Sequence, residues 1–362
     1  MKTFVLSILF ICVSSIIGAY LLNNELRARS AKSLPNTAHF ADGKFHNDVQ
    51  SEAPTLGKTL GIFARYFTEK KTDATPTEPM PMHSVTRAQL DALSEHEIHI
   101  VKLGHSSLLL KMYDEYWLID PVFSQRASPF SFLGPKRFEP TPISIDALPP
   151  IDKVLISHNH YDHLDRAAIK TLNAKTKAFY VPLGVEADLQ KWGIHADKIQ
   201  RFDWWQELQT QHALVVFTPT QHFSGRAITD GNKTLWGSWV IKTATDSVYF
   251  SGDSGYFSGF EAIGDKYGPF DITLIENGAY DKDWADIHMT PEESVQAHVD
   301  LRGKIMVPIH NGTFDLAFHP WYEPLVRVKE AASKHNVTLS TPVFGQIFSS
   351  KQQSIQEQWW PK

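Results

Sequence analysis

One stretch narrows the folds open to this chain more than any other. Ile151-Asp152-Lys153-Val154-Leu155-Ile156 is a short apolar run of strand type. It leads into Ser157-His158-Asn159-His160-Tyr161-Asp162-His163-Leu164-Asp165, where three histidines and two aspartates fall within eight residues. A strand therefore carries a polar cluster to the end of a sheet, where the backbone turns. His158, His160 and Asp162 alternate, so an extended chain sends their side chains to one side. His163 breaks the alternation and can reach a neighbouring position. Imidazole and carboxylate are common ligands of zinc and related divalent ions. The pattern suits two adjacent ions better than one. The competing reading is a polar surface loop that happens to be rich in histidine.

Composition limits what such a site could serve. The apolar fraction of 42% and the aromatic fraction of 12% are enough for a sizeable core in one large domain or two. A formal net charge of -5 argues against a general nucleic-acid binder, which needs a basic surface to displace counterions. The single cysteine, Cys12, lies in an N-terminal apolar segment, so the rest of the chain has no disulfide and no thiolate ligand.

That segment, Phe4 to Leu22, carries no charge; Lys2 precedes it, and Arg27, Arg29 and Lys32 follow. About 20 apolar residues suffice to cross a bilayer as a helix. A cleavage after Ala19 would place bulky Ile17 where a small residue belongs. The expectation for residues 1–30 is thus a retained membrane anchor, with export after signal cleavage as the alternative. Residues 31–96 read as a linker containing an amphipathic helix. In it Leu56, Leu60, Phe63 and Phe67 recur at helical spacing, beside Ile62 and Tyr66. Its apolar face would pack on the domain or meet a membrane surface. A domain is expected over residues 97–362.

Within that domain, strand-like runs come first and close together. They include Ile98–Leu103, Ser107–Met112, Tyr116–Ile119, Ala213–Thr218, Leu235–Ile241, Ser247–Phe250, Ile272–Ile275 and Lys304–Ile309. Helical patterns separate the later ones; Thr290 and Pro291 mark one helix start. The fold class is α+β: two mixed β-sheets packed face to face and flanked by helices. His222, Asp253 and His310 each follow a strand-like run, as the His158–His163 cluster does. Strand ends meeting at one edge could bring all of them together.

The His158-Asn159-His160-Tyr161-Asp162-His163 stretch, followed in order by a His, a Gly-Asp and a His, resembles the metallo-β-lactamase superfamily. Within it the chain is similar to the N-acylphosphatidylethanolamine-hydrolysing phospholipase D group. That similarity rests on residues 120–129, 134–138, 156–165, 235–239 and 310–314, and covers roughly residues 97 to 345. It implies an αββα sandwich, two zinc ions and a phosphodiester hydrolase acting on a membrane phospholipid. It also implies that His158, His160 and His222 bind one ion, that Asp162, His163 and His310 bind the other, and that Asp253 bridges both. Asp162 and Asp253 would be the catalytic carboxylates. Substrate contacts would fall on Tyr161 and His288, although Tyr161 could equally pack beside the ions and His288 mark a helix entry. His105 reads as a structural residue behind the ligands, and Asp165 as a partner for a ligand imidazole.

Other readings remain at this point. A metal-dependent hydrolase of a small phosphate ester or lactone would use the same ligands. A metal-stabilised, membrane-tethered binding protein would use them without catalysis. Gly104-His105-Ser106-Ser107 begins like a lipase elbow but lacks its closing glycine, and Gly252-Asp253-Ser254-Gly255 is a partial serine-protease loop.

Overall fold

The computed structural model describes residues 37–49, 56–227, 229–352, 355 and 358–361. In chain order come β1 (Phe40–Ala41), β2 (Lys44–Phe45), α1 (Leu56–Thr68), α2 (Arg87–Asp91), β3 (His99–Gly104), β4 (Ser107–Met112), β5 (Glu115–Ile119) and β6 (Ile151–Leu155). Then follow α3 (Arg166–Leu172), β7 (Thr176–Pro182), α4 (Glu186–Lys191), β8 (Ile199–Phe202), β9 (Glu207–Gln209), β10 (Leu214–Thr218), β11 (Ser238–Lys242) and β12 (Ser247–Phe250). The chain closes with α5 (Gly259–Tyr267), β13 (Phe270–Glu276), α6 (Pro291–Asp300), β14 (Gly303–Ile309), α7 (Glu323–Lys334), β15 (Thr338–Leu339) and β16 (Ile347–Ser349).

Two seven-stranded sheets form, in the orders β16-β3-β4-β5-β6-β7-β8 and β15-β14-β13-β12-β11-β10-β9. Each opens on antiparallel strands. Short connections join β3-β4-β5, β9-β10 and β11-β12, whereas β10 and β11 are joined by residues 219–237, the segment that carries His222. The strands that follow pair in parallel, β5 to β8 and β12 to β15, and need longer returns over the sheet, most of them helical.

Side-chain alternation sorts the apolar residues into three layers. Ile100, Leu108, Leu110, Trp117 and Ile119 of one sheet meet Val215, Phe217, Trp239, Ile241 and Phe250 of the other. Val101, Leu109, Leu118 and Val154 face outward and are covered by Ala168, Ile169 and Leu172 of α3. Val216, Val240, Tyr249 and Met306 are covered by Phe260 and Ile263 of α5, Val295 of α6 and Val328 of α7. Because both faces of each sheet are buried, strands such as Ser107–Met112 read as nearly unbroken apolar runs. Each large apolar side chain buried in this way contributes about 1.5–3 kcal/mol. The expected sandwich of two mixed sheets with outer helices is the fold observed.

Helix α6 starts where the sequence places it. Thr290 caps it, Glu293 completes the capping box, and Pro291 occupies the first turn.

The expected membrane association through Phe4–Leu22 is corrected. Those residues lie outside the described ones, as do the residues of the alternative signal-cleavage site. Among the described residues no helix is long and apolar enough to cross a membrane. The longest, α1, has 13 residues. At 1.5 Å per residue that is about 20 Å, short of a hydrocarbon core of about 30 Å. Within α1 the side chains of Leu56, Phe63, Tyr66 and Phe67 lie outside the described set, and Leu60 is exposed. Arg65 of α1 is ion-paired with Asp281 at 2.7 Å and with Asp283, and its guanidinium lies 4.1 Å from the Phe318 ring centre. This helix is thereby tied to the loops of the second sheet.

Candidate metal centre

The C-terminal ends of five strands and one hairpin converge at one edge of the sandwich. β6 runs into Ser157–His163, β10 into His222, β12 into Asp253 and β14 into His310; β13 ends in Glu276, and the β3–β4 turn carries His105. Three non-glycine residues here hold left-handed backbone: His105 (φ 53°), Asp120 (φ 42°) and His310 (φ 62°). Such conformations are uncommon and gather where function fixes geometry. Gly252 (φ 57°) shows why a glycine precedes Asp253. A Cβ there would sit 2.7 Å from the Gly237 carbonyl oxygen and 2.9 Å from Ser157 Cβ.

The candidate ligands form two groups. His158 Nε2 lies 2.9 Å from His160 Nδ1, which lies 3.3 Å from His222 Nε2. Asp162 Oδ2 lies 3.3 Å from His310 Nε2 and 3.7 Å from His163 Nε2. Asp253 stands between the groups. Its Oδ2 is 3.8 Å from both His158 Nε2 and His222 Nε2 and 3.1 Å from His310 Nε2, and its Oδ1 is 3.1 Å from His163 Nε2. All seven residues named from the sequence are therefore brought together.

The donor set fits divalent cations. His163 Nε2, His310 Nε2 and Asp253 Oδ1 are buried and lack a hydrogen-bond partner among the described residues. In the first group, three imidazole nitrogens converge at hydrogen-bond distance, an arrangement in which a shared cation can replace nitrogen–nitrogen contacts. Buried polar atoms are normally satisfied, and a cation in each group would satisfy these. Nitrogen and oxygen donors without thiolate suit zinc and its borderline neighbours.

Protonation differs between the groups. Burial, reinforced by neighbouring imidazoles, holds His158 well below the ordinary histidine value. Burial likewise lowers His222, and it lowers His160 to about 4 against the pull of Asp162 and Asp253. In the second group burial also opposes charge, but the carboxylates outweigh it. Asp253 and Asp162 lift His310 to about 10 and His163 well above its usual value. Burial raises Asp162 and Asp253 in turn, yet the facing imidazoles hold both well below the carboxylate range.

The residues behind the ligands were less visible in the sequence. Asp120, fully buried after β5, takes His163 Nδ1 at 2.7 Å and accepts from the Ser157 hydroxyl at 2.5 Å and the Ser157 N–H at 2.7 Å. Ser157 Oγ lies 2.9 Å from His158 Nδ1, and the Ile287 carbonyl lies 2.9 Å from His222 Nδ1. These contacts turn the Nε2 atoms of His158, His163 and His222 toward the centre. Asp165 does not partner an imidazole. One oxygen caps α3 through the Ala167 and Ala168 N–H groups, and the other accepts from Phe123 and Ser124 N–H. Sequence proximity favoured Asp165, whereas β5–β6 pairing puts Asp120 beside Ser157. His105 Nε2 is 3.1 Å from Asp162 Oδ2, behind that carboxylate.

Glu276 had no role in the sequence reading. It is fully buried, and burial raises its pKa against the influence of His288. It accepts from the Met289 N–H at 2.8 Å and lies 2.9 Å from His288 Nδ1. The His288 ring is thereby held 5.1 Å from that of His222 and 5.4 Å from that of His310, centre to centre. The available signal was position: Asp120, Ser157 and Glu276 all sit at strand ends. Tyr161 donates from its hydroxyl to the Arg226 carbonyl at 2.8 Å, and its ring lies 4.0 Å from the Arg226 guanidinium. It lines a cleft of about 900 Å³ with Phe130, Trp192, Arg166, Lys170 and Lys191.

The serine readings find no support. Ser106, where an elbow would expose its nucleophile, is fully buried, and Ser254 Oγ donates to the Gly255 carbonyl at 2.6 Å.

Comparison with known proteins fixes the lineage. The profile described as "Beta-lactamase superfamily domain" matches residues 116–311, more than half the chain and all of the candidate centre except His105. This chain belongs to that superfamily. An uncharacterised protein of Mycobacterium tuberculosis is 40% identical over 341 residues, 93% of this chain and 90% of the relative. N-acyl-phosphatidylethanolamine-hydrolyzing phospholipase D 1 of Caenorhabditis elegans is 34% identical, over 69% of this chain and 74% of the relative. The solved structure of Igni18, a metallo hydrolase from Ignicoccus hospitalis, superposes with a TM-score of 0.54 at 19% identity, covering 70% of this chain and 97% of that one. That last likeness is one of fold alone. The superfamily and the clusters together support a metal-dependent hydrolase.

Proposed function

We propose that this chain is a binuclear zinc-dependent phosphodiesterase of phospholipase D type, acting on N-acylphosphatidylethanolamine or a related phospholipid. The observation that carries the reading is the pair of three-residue clusters with Asp253 between them. His158, His160 and His222 would hold one ion, Asp162, His163 and His310 the other, and Asp253 both. Two such ions neutralise an anionic phosphodiester and acidify water at neutral pH. The chain's own groups do the rest. Asp120, Ser157 and the Ile287 carbonyl keep the ligand imidazoles turned inward. Asp162 and Asp253, ionised in their imidazole surroundings, would supply negative charge to hold the cations. Glu276 fixes His288 Nδ1, which leaves Nε2 free to meet a substrate oxygen.

The phospholipid part of the reading is supported by the named relative in Caenorhabditis elegans. The cleft at Tyr161 supports it as well, since the rings of Phe130, Tyr161 and Trp192 stand there with cationic side chains that outnumber the three carboxylates, Asp165, Asp188 and Asp230, sharing the lining. Full-length protein loaded with Zn²⁺ should release phosphatidate and N-acylethanolamine from N-acylphosphatidylethanolamine. His160→Ala should not. Turnover of a lactone or a small phosphate ester, with no release from the phospholipid, would replace the substrate class and keep the metal chemistry. Bound zinc with no turnover of any ester would favour a binding protein.

A further inference from the structure

The polar stretch before the sandwich, expected as linker, reaches the metal centre. Asn47 follows β2 by two residues. Its amide makes three contacts at once. Nδ2 donates to the His222 carbonyl at 2.9 Å. Oδ1 accepts from the His222 N–H at 3.2 Å and from the Trp236 indole N–H at 2.9 Å. Next to it, Gln221 Nε2 donates to the Val49 carbonyl at 2.9 Å. The strap is anchored on its other side. Phe45 is fully buried in the core between the sheets, and its N–H donates to the Asn232 carbonyl at 2.8 Å. His39 Nε2 meets Asp203 Oδ1 at 2.7 Å.

His222 needs such a partner. Strand β10 ends at Thr218, so the His222 N–H and carbonyl lie beyond the β10–β11 ladder. An unpaired buried backbone group costs about as much as a lost hydrogen bond. One primary amide, with a donor and an acceptor side by side, closes both groups as a neighbouring strand would. The Ile287 carbonyl fixes the far side of the ring. Backbone and Nδ1 are then both held, and Nε2 is left facing His160.

We propose that Asn47 is a positioning residue for His222: it sets this ligand's backbone so that its imidazole stays in register with His158 and His160. The inference rests on the reading of His222 as a metal ligand. It makes the strap a working part of the centre.

The test uses the full-length chain and Zn²⁺, with competition against a chromophoric chelator and with melting curves of metal-free protein. Asn47→Ala should raise the dissociation constant of one of the two ions about 10–100-fold, the range seen when groups behind a ligand are removed. The other ion should change far less. His39→Ala loosens the strap without touching His222. It should lower the metal-free melting temperature at least as much as Asn47→Ala, yet leave both affinities unchanged. Wild-type affinities in Asn47→Ala would overturn the proposal. So would equal weakening in both variants, which would mean that strap stability alone is at work. If the wild-type chain takes up no zinc, the metal reading itself fails and takes this inference with it.

Discussion

The first sheet delivers its four candidate ligands in a single loop, His158 to His163. The second delivers His222, Asp253 and His310 on three separate strand ends. Each candidate cluster nevertheless draws on both sheets: His158 and His160 stand with His222, and Asp162 and His163 with His310. In the loop half the imidazoles of His163 and His158 are braced from within their own sheet, by Asp120 at the end of β5 and by Ser157. The loop backbone is held from the β10–β11 connection, where Arg226 donates to the Asn159 and Leu164 carbonyls. The strand-end half is braced at His222 by residues remote in the chain, Ile287 and Asn47, and Glu276 holds the adjacent His288. The difference teaches that ligands in a compact motif can take the partners of their imidazoles from near by in one sheet, whereas distributed ligands take theirs from segments remote in the chain.

The largest effect should come where the halves meet. Asp253 faces both groups, so Asp253→Asn removes the one negative charge they share. Losing a single charge-stabilising group commonly costs ~10²–10³ in rate, and here two ion sites weaken together. Activity should fall by at least that much, and elemental analysis should find fewer than two ions per chain. A variant that keeps two ions and more than a tenth of its activity would mean that the halves are not coupled through Asp253.

The pH response of metal-free protein comes next. His160 sits at about 4 in the fold against an ordinary 6.5, with His158 and His222 also lowered. Groups with depressed histidine pKa values bind more protons when unfolded, so their effect is to lower stability as pH falls from about 6.5 towards 4. His310, raised to about 10, acts the other way. Its stabilising contribution is complete below 6.5 and fades as pH rises through 10. Chelated protein should therefore show a melting temperature that declines on both sides of neutrality. Replacing His222 should soften the acid limb, and replacing His310 the alkaline one. A flat profile from pH 5 to 9 would count against these charge states.

Bracing can be compared directly. Asp120→Asn loosens His163 and Ser157 in the loop half, and zinc affinity should fall about 10–100-fold. Glu276→Gln loosens His288, which lies outside the proposed ligand set. It should leave zinc content at two and mainly raise KM. If Glu276→Gln loses metal as Asp120→Asn does, then His288 or Glu276 belongs to the ligand set.

The same contrast explains what the sequence made legible. Both sheets could be read from apolar runs, because strands buried on both faces leave little ambiguity. The loop ligands could be read from spacing alone. His222, Asp253 and His310 have no spacing signal; they were picked out by their places after strand-like runs and by resemblance to a family. Asp120 and Glu276 were invisible as supports, since their partners are set by β5–β6 pairing and by the return of the chain to His288. Asp165 misled because its nearness in sequence to the motif stood in for nearness in space; in the fold it caps α3. Residues 37–49 looked like linker because they are polar. Only tertiary packing places Asn47 against His222 and Phe45 in the core.

The smallest effect is expected at Tyr161, a motif residue whose side chain, like that of Asn159, lies outside the ligand clusters. Its hydroxyl donates to the Arg226 carbonyl, and its ring faces the Arg226 guanidinium. Tyr161→Phe keeps the ring and removes one hydrogen bond, which is worth about 0.5–1.5 kcal/mol. Zinc affinity should not change, since no ligand or brace is touched. Turnover of a small soluble phosphodiester should stay within about threefold of wild type, the rate factor that ~0.65 kcal/mol represents. Phospholipid turnover should fall further, because the ring lines the cleft that would receive the larger substrate. Measuring both substrates on one preparation separates the possibilities. Equal, small losses on both would make Tyr161 a packing residue of the loop half. A loss confined to the phospholipid would make it a substrate contact. A loss of zinc would show that the Tyr161–Arg226 contact also positions the loop's ligands, and would remove the contrast with the strand-end half.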